Sequence, residues 1–153
     1  MQIIPIAGGK GGVGKSLLAV NLSIALAQSG RKVVLADLDL GGSNLHMMLG
    51  SGKGLSGIGT WLTRSDVEFE DIVIDSEYPD LRFIPGDAEI PGLANIQANQ
   101  KRSIIKNISN LDADFIIVDL GAGTSYNTLD FFLTSGCGII VTAPALTATL
   151  NAY

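Results

Sequence analysis

Short apolar runs alternate with glycine-rich polar stretches along this chain. Gln2 to Ala7 is apolar after its first residue and predicts a strand, followed by a glycine-dense loop from Gly8 to Gly14. Ser16 to Gln28 carries Leu17, Leu18, Ala19, Val20, Leu22, Ile24, Ala25 and Leu26 without Gly or Pro. That pattern predicts a helix buried nearly all round and stopped at Ser29-Gly30. Lys32 to Asp39, with Val-Val-Leu-Ala at its centre, predicts a second strand. A strand, loop, helix and strand in so short a stretch are read as a parallel pair joined by a right-handed crossover.

Gly41 to Gly59 reads as a loop with a helical turn around Asn44 to Leu49. Leu55 to Thr63 predicts a short helix that sets Trp61 against the core. Glu70 to Ile74 is read as a short helix in preference to a strand, and Leu81 to Pro85 as a strand. Ile104, Ile105, Ile108 and Leu111 recur at helical spacing, so Ile96 to Asn110 predicts an amphipathic helix. Phe115 to Asp119 is the continuous apolar run of a strand buried on both faces. Thr128 to Thr134 predicts a helix, and Gly138 to Thr142 another buried strand. The alternation is the α/β signature, and residues 1–153 are expected to form one domain. A sheet ending at Thr142 would leave a bare apolar edge. The chain is therefore read as the N-terminal portion of a longer one, lacking its last strands.

Composition narrows the classes. The chain has 153 residues, 46% hydrophobic and only 16% charged, with a mean hydropathy of +0.36, which excludes a disordered charged tail. A net charge of −5 argues against a strongly basic nucleic-acid binder, so no direct nucleic-acid partner is expected. The single Cys137 excludes a disulfide scaffold and a cysteine-based zinc site. No apolar run reaches the roughly 18 residues of a membrane span, no cleaved signal is read at the N-terminus, and a cytoplasmic location is expected. The 19 glycines point to tight turns and close backbone approach to a ligand.

Gly9-Lys10-Gly11-Gly12-Val13-Gly14-Lys15-Ser16 fits the pattern G-x-x-x-x-G-K-[ST], after a predicted strand and before a predicted helix. Glycines allow successive N–H groups to converge on phosphate oxygens, and the helix start adds free N–H groups and positive dipole. Lys15 can reach the β- and γ-phosphates, and the Ser16 hydroxyl can ligate Mg²⁺. Lys10 is a second loop lysine that could offset charge on a transferred phosphoryl group, here or in a partner's site. Asp37 and Asp39 end the second strand, where carboxylates face the ligand crevice of a parallel sheet. They are expected to face opposite sides of the extended chain and to hold separate roles. Asp119-Leu120-Gly121-Ala122-Gly123 places a carboxylate and a glycine turn after a buried strand, an arrangement that holds Mg²⁺ through water and offers N–H groups to a γ-phosphate.

These motifs resemble those of the MinD/ParA/Mrp superfamily of P-loop ATPases, whose deviant Walker A motif carries an extra signature lysine. The resemblance covers essentially the whole chain and implies a three-layer α/β/α P-loop fold with a mainly parallel, twisted sheet. By position Lys10 is the signature lysine, acting across an ATP-sandwich homodimer, and Lys15 is the P-loop lysine. Nucleotide binding is implied for Gly9, Lys10, Gly11, Gly12, Val13, Gly14, Lys15, Ser16, Leu17 and Gly123. Catalysis is implied for Lys10, Lys15 and Asp39, the last positioning the attacking water in switch I, which runs through Asn44. Mg²⁺ is implied at Ser16, Asp37 and Asp119, with Gly123 of switch II sensing the γ-phosphate. Asp119-Leu-Gly-Ala-Gly123 and Leu81-Arg-Phe-Ile-Pro-Gly86 are closer to the FlhG and MinD-like branch than to ParA. Pro144-Ala145 departs from the Pro-Glu of many relatives.

The resemblance implies an ATP/ADP and Mg²⁺ switch, hydrolysing ATP slowly and acting with a regulatory protein partner on the placement or number of flagella or on the division site. Membrane contact is expected only through a segment beyond Tyr153. An iron–sulfur carrier of the Mrp type, a biosynthetic enzyme like dethiobiotin synthetase or cobyrinic-acid amidase, and a binding-only scaffold are the alternatives. Among other residues, His46 is expected to be packed or solvated and Cys137 to be an inert small hydrophobe. Lys101, Arg102 and Lys106 are expected to form a solvated face. Met47-Met48 is left open between core filling and a contact surface.

Overall fold

The computed structural model describes residues 1–39, 42, 45–50, 55–86, 96–123, 125–133 and 135–153, without the side chains of 126 and 127. Its strands are β1 (Gln2–Ala7), β2 (Val33–Leu38), β3 (Ile74–Asp75), β4 (Leu81–Ile84), β5 (Phe115–Leu120) and β6 (Ile139–Ile140). They lie in the order β3-β4-β2-β5-β1-β6. All pairings are parallel except β3 with β4. Every residue of β2 is buried, as a Val-Val-Leu-Ala centre covered on both faces requires.

The helices are α1 (Lys15–Gln28), α2 (Leu45–Met48), α3 (Ile58–Thr63), α4 (Ala98–Ile108), α5 (Tyr126–Phe132) and α6 (Leu146–Ala152). The alternation of strand side chains divides the core into two layers. Val33, Leu35 and Ile117 pack with Ile6, Phe83 and the α1 residues Ala19, Val20 and Ala27. Val34, Ala36, Leu38, Ile116, Val118 and Leu120 pack with Ile58 of α3, Ile104 and Ile108 of α4 and Phe131 of α5. The three-layer, mainly parallel α/β/α architecture expected from the sequence is the one observed. Phe83, Leu35 and Ile116 are wholly buried, and burying each such side chain is worth roughly 1.5–3 kcal/mol.

Several elements depart from expectation. The run around Glu70 forms a 3-10 turn, Phe69–Ile72, and then the short strand β3. Ile74 and Asp75 stand antiparallel to Phe83 and Arg82, so a neighbour distant in sequence decides their conformation. Helix α3 begins at Ile58 because Gly57 lies against Pro85, whose carbonyl accepts the Ile58 N–H at 2.9 Å. The last strand is shorter than Gly138 to Thr142 and is not buried, with Ile140 52% exposed at the sheet edge. Helix α1 is not buried all round either, since Leu17 and Leu18 are exposed. Gly30, at φ 80°, follows its end as expected. Leu49 and Leu45 are buried beside α2, whereas Met47 and Met48 are exposed, which removes core filling as their role. Asn44 and part of the loop from Gly41 lie outside the described residues. Trp61 meets Phe69 edge to face, 5.0 Å between ring centres.

Candidate nucleotide site

The site gathers at the carboxyl ends of β1, β2 and β5, where an open parallel sheet binds its ligands. The loop after β1 turns through Gly12 (φ 76°) and Gly14 (φ 99°), conformations that L side chains rarely adopt. Gly14 leads directly into α1, with no side-chain cap and no acidic residue in the first turn. No side chain caps the first N–H groups of this long helix, and its positive end faces the loop. Lys15 is buried at that helix start, Ser16 is half-buried, and Gly11, Lys10 and Leu17 are exposed. Val13, Gly14, Gly12, Gly9 and Lys10 thus occupy one continuous turn with Lys15 and Ser16 at its inner end.

Asp37 and Asp119 are direct register partners on β2 and β5. Both sit on the α1 side of the sheet, and both are at most 1% exposed. Asp37 Oδ1 accepts the Asp39 N–H at 3.1 Å and Oδ2 accepts the Leu45 N–H at 3.3 Å, tying the end of β2 to the start of α2. The expectation that Asp37 and Asp39 face opposite sides fails on strand geometry. Residues two apart point the same way in an extended chain, and Asp39 lies close enough to Asp119 to raise its pKa. Asp39 is half-buried, and its Oδ1 lies 3.0 Å from the place a Cβ would take on Gly121. The glycine turn after β5 thus makes room for this carboxylate.

The Asp119 carboxyl is strongly perturbed. Burial pushes its carboxyl up to about 6, with Asp37 and Asp39 adding to the rise while the Ser16 hydroxyl and Lys15 oppose it. The Ser16 hydroxyl faces this carboxyl, whose Oδ1 is buried without a hydrogen-bond partner. An orphaned, buried carboxylate oxygen next to a hydroxyl and a second carboxylate is an all-oxygen donor set that fits Mg²⁺. No cluster of three or more His, Cys, Asp or Glu able to cage a metal occurs among the described residues. Mg²⁺ does not require one, because it keeps several waters and takes the rest of its ligands from phosphates.

Gly123, at φ 93°, donates its N–H to the Gly8 carbonyl at 3.0 Å, which brings the turn after β5 against the phosphate loop. The phosphate loop, the end of β2 and the turn after β5 are thus neighbours, while Lys10 and Leu17 are exposed. Two contacts were missed. Asn151 of α6 donates to the Gly9 carbonyl, a contact across 142 positions that no local pattern signals. Lys101 is buried, not solvated, and pairs with Asp130 of α5 at 2.6 Å. Its place on the basic side of an amphipathic helix hid it. Cys137 is exposed, and His46 is half-buried. A cavity of about 410 Å³ lies at the opposite end of the strands between Lys32, Tyr78, Asp80 and Arg82. Its Lys32–Asp112 ion pair is open to water, and none of the convergent groups above reaches it.

The model of the CobQ/CobB/MinD/ParA nucleotide binding domain matches residues 4–131, and the chain belongs to that family. It is 33% identical to the flagellum site-determining protein YlxH of Helicobacter pylori, over 99% of this chain and 51% of that protein. It is also 33% identical to the septum site-determining protein MinD of Synechocystis, over 99% of this chain and 56% of that protein. The chain thus spans about half the length of these curated relatives. Among solved structures, the Mg-ADP complex of MinD from Pyrococcus horikoshii superposes with a TM-score of 0.85 at 29% identity, covering 98% of this chain and 61% of that one. No helix of the described residues is long and apolar enough to cross a membrane.

Proposed function

We propose that residues 1–153 are the nucleotide-binding domain of an ATP-hydrolysing dimerisation switch. The observation that carries this reading is the orphaned Oδ1 of buried Asp119, beside Ser16 and Lys15 and below the uncapped start of α1. Such a site keeps a strained negative group for a cation and an unneutralised helix end for an anion, and Mg²⁺ with a nucleotide polyphosphate supplies both.

In this reading the N–H groups of Gly9 to Leu17 cradle the phosphates, and Lys15 neutralises the β- and γ-phosphates. Ser16, Asp37 and Asp119 would hold Mg²⁺, the two carboxylates through water. The ion would offset charge between the β- and γ-phosphates. Asp39 orients a water for attack on the γ-phosphorus, the bridging P–O bond breaks, and ADP and phosphate leave. Lys10 of each subunit reaches the nucleotide of the other, and Gly123 gives its N–H to the γ-phosphate. The dimer therefore requires ATP and is released by hydrolysis. Likeness to site-determining proteins for flagella and septa supports a cytoplasmic role in placing or counting such structures, with a regulatory protein reading the ATP state.

The test is Lys10→Ala. The variant is expected to bind Mg-ADP and to remain monomeric with Mg-ATP. Dimerisation equal to that of the unaltered chain would overturn the role of Lys10 across the dimer.

A further inference from the structure

The cavity of about 410 Å³ at the amino ends of β2 and β4 is walled by charged groups that do not cancel one another. Asp75 and Arg82 are direct register partners on antiparallel β3 and β4, a placement in which opposite charges ordinarily pair. Both line the cavity, yet no ion pair joins them among the described residues. The Arg82 guanidinium instead gives one Nη2 N–H to the Asp112 carbonyl at 2.7 Å, which leaves its charge without a carboxylate. The Asp112 carboxylate is taken by Lys32 at 2.6 Å.

A second carboxylate comes from the turn before β4. The Leu81 N–H closes that turn on the Tyr78 carbonyl at 3.2 Å, with Pro79 and Asp80 at its centre. Asp80 has φ 63°, in the left-handed region where glycine is the usual turn residue. The chain thus carries a carboxylate at a backbone position that disfavours a side chain. The Asp80 carbonyl accepts the Val33 N–H at 2.8 Å, which fixes the turn against β2. Setting aside the Lys32–Asp112 pair, the cavity offers one cation, Arg82, and two carboxylates, Asp75 and Asp80. A simple anion would meet both carboxylates, and a simple cation would meet Arg82. We propose that this cavity binds a compact zwitterion, a free α-amino acid or a dipeptide. Its carboxylate lies on Arg82 and its ammonium on Asp75 and Asp80. The Tyr78 ring, Pro79, Val33 and Leu81 supply apolar wall for its side chain. The volume is that of a small-molecule site, which commonly measures about 300–1,000 Å³.

The test is a titration of the nucleotide-free chain, followed by the amide resonances of Asp80 and Arg82. The probes are L-leucine and alanyl-leucine, whose comparison tells an amino acid from a dipeptide. N-acetyl-leucine, which keeps only the carboxylate, and leucinamide, which keeps only the ammonium, are the controls. At least one zwitterion is expected to shift both resonances saturably, and each control to bind at least about tenfold more weakly, as the loss of one charge-assisted contact requires. The same loss is expected with Arg82→Met and with Asp80→Asn. Asparagine tolerates the left-handed turn and removes only the charge, so Asp80→Asn decides the matter if thermal unfolding shows Arg82→Met to be misfolded. No saturable shift with either zwitterion at millimolar concentration would overturn the proposal. So would controls that bind as well as the zwitterion, or an Asp80→Asn chain that binds as the parent does.

Discussion

Asp119→Asn should stabilise the ligand-free protein while abolishing its response to Mg-nucleotide. The Asp119 carboxyl titrates at about 6 in the folded chain against 3.8 for its ordinary value, chiefly because it is buried. Between those values the folded state holds more protons than the unfolded one. The contribution of this group to stability is therefore greatest below about pH 4 and is lost as pH rises through about 6, by roughly 3 kcal/mol at neutral pH. An amide at this position carries no charge, keeps an oxygen for the Ser16 hydroxyl and offers a donor where Oδ1 has no partner. For a chain of this length the gain corresponds to a rise in Tm on the order of 5–10 °C. Thermal unfolding followed by circular dichroism, in EDTA and without nucleotide, measures it from pH 4 to pH 8. The gain should appear at pH 7.5 and vanish toward pH 4. A variant less stable than the parent at pH 7.5, or one whose gain is the same at both ends, would refute the reasoning.

Other outcomes follow from packing. Phe83→Ala empties a wholly buried position between β2 and β3 and should cost about 3–5 kcal/mol, measured by urea unfolding. Lys101→Ala removes the buried end of the link between α4 and α5, leaving a half-exposed Asp130 that water can solvate. The expected loss is about 1 kcal/mol in the same assay, with Mg-ADP affinity unchanged.

The parts legible in the sequence are those whose signal is local. The spacing from Gly9 to Ser16 specifies the loop, because each glycine and the lysine-serine pair act on the same phosphates. Phe115 to Val118 and Val33 to Ala36 announce central parallel strands, because both of their faces are covered. Signals were lost where a distant neighbour decides. Ile74 and Asp75 become a strand only because β4 offers an edge. Leu17 and Leu18 are as apolar as the buried Ala19 and Val20, so composition alone does not tell the outer side of α1 from the inner. The pairing of Asp37 with Asp119 is a matter of sheet register. That register sets the Asp37 carboxylate beside Asp119 and adds to the rise in its pKa that burial chiefly causes.

The central claim is that ATP, and not ADP, brings two copies of this chain together. Light scattering on Asp39→Ala tests it most directly, because that change removes the carboxylate expected to orient the attacking water and leaves Lys10, Lys15 and Asp119 in place. With Mg-ATP the mass should double relative to the 16.0 kDa chain, and with Mg-ADP it should not. The same mass with both nucleotides would contradict the account.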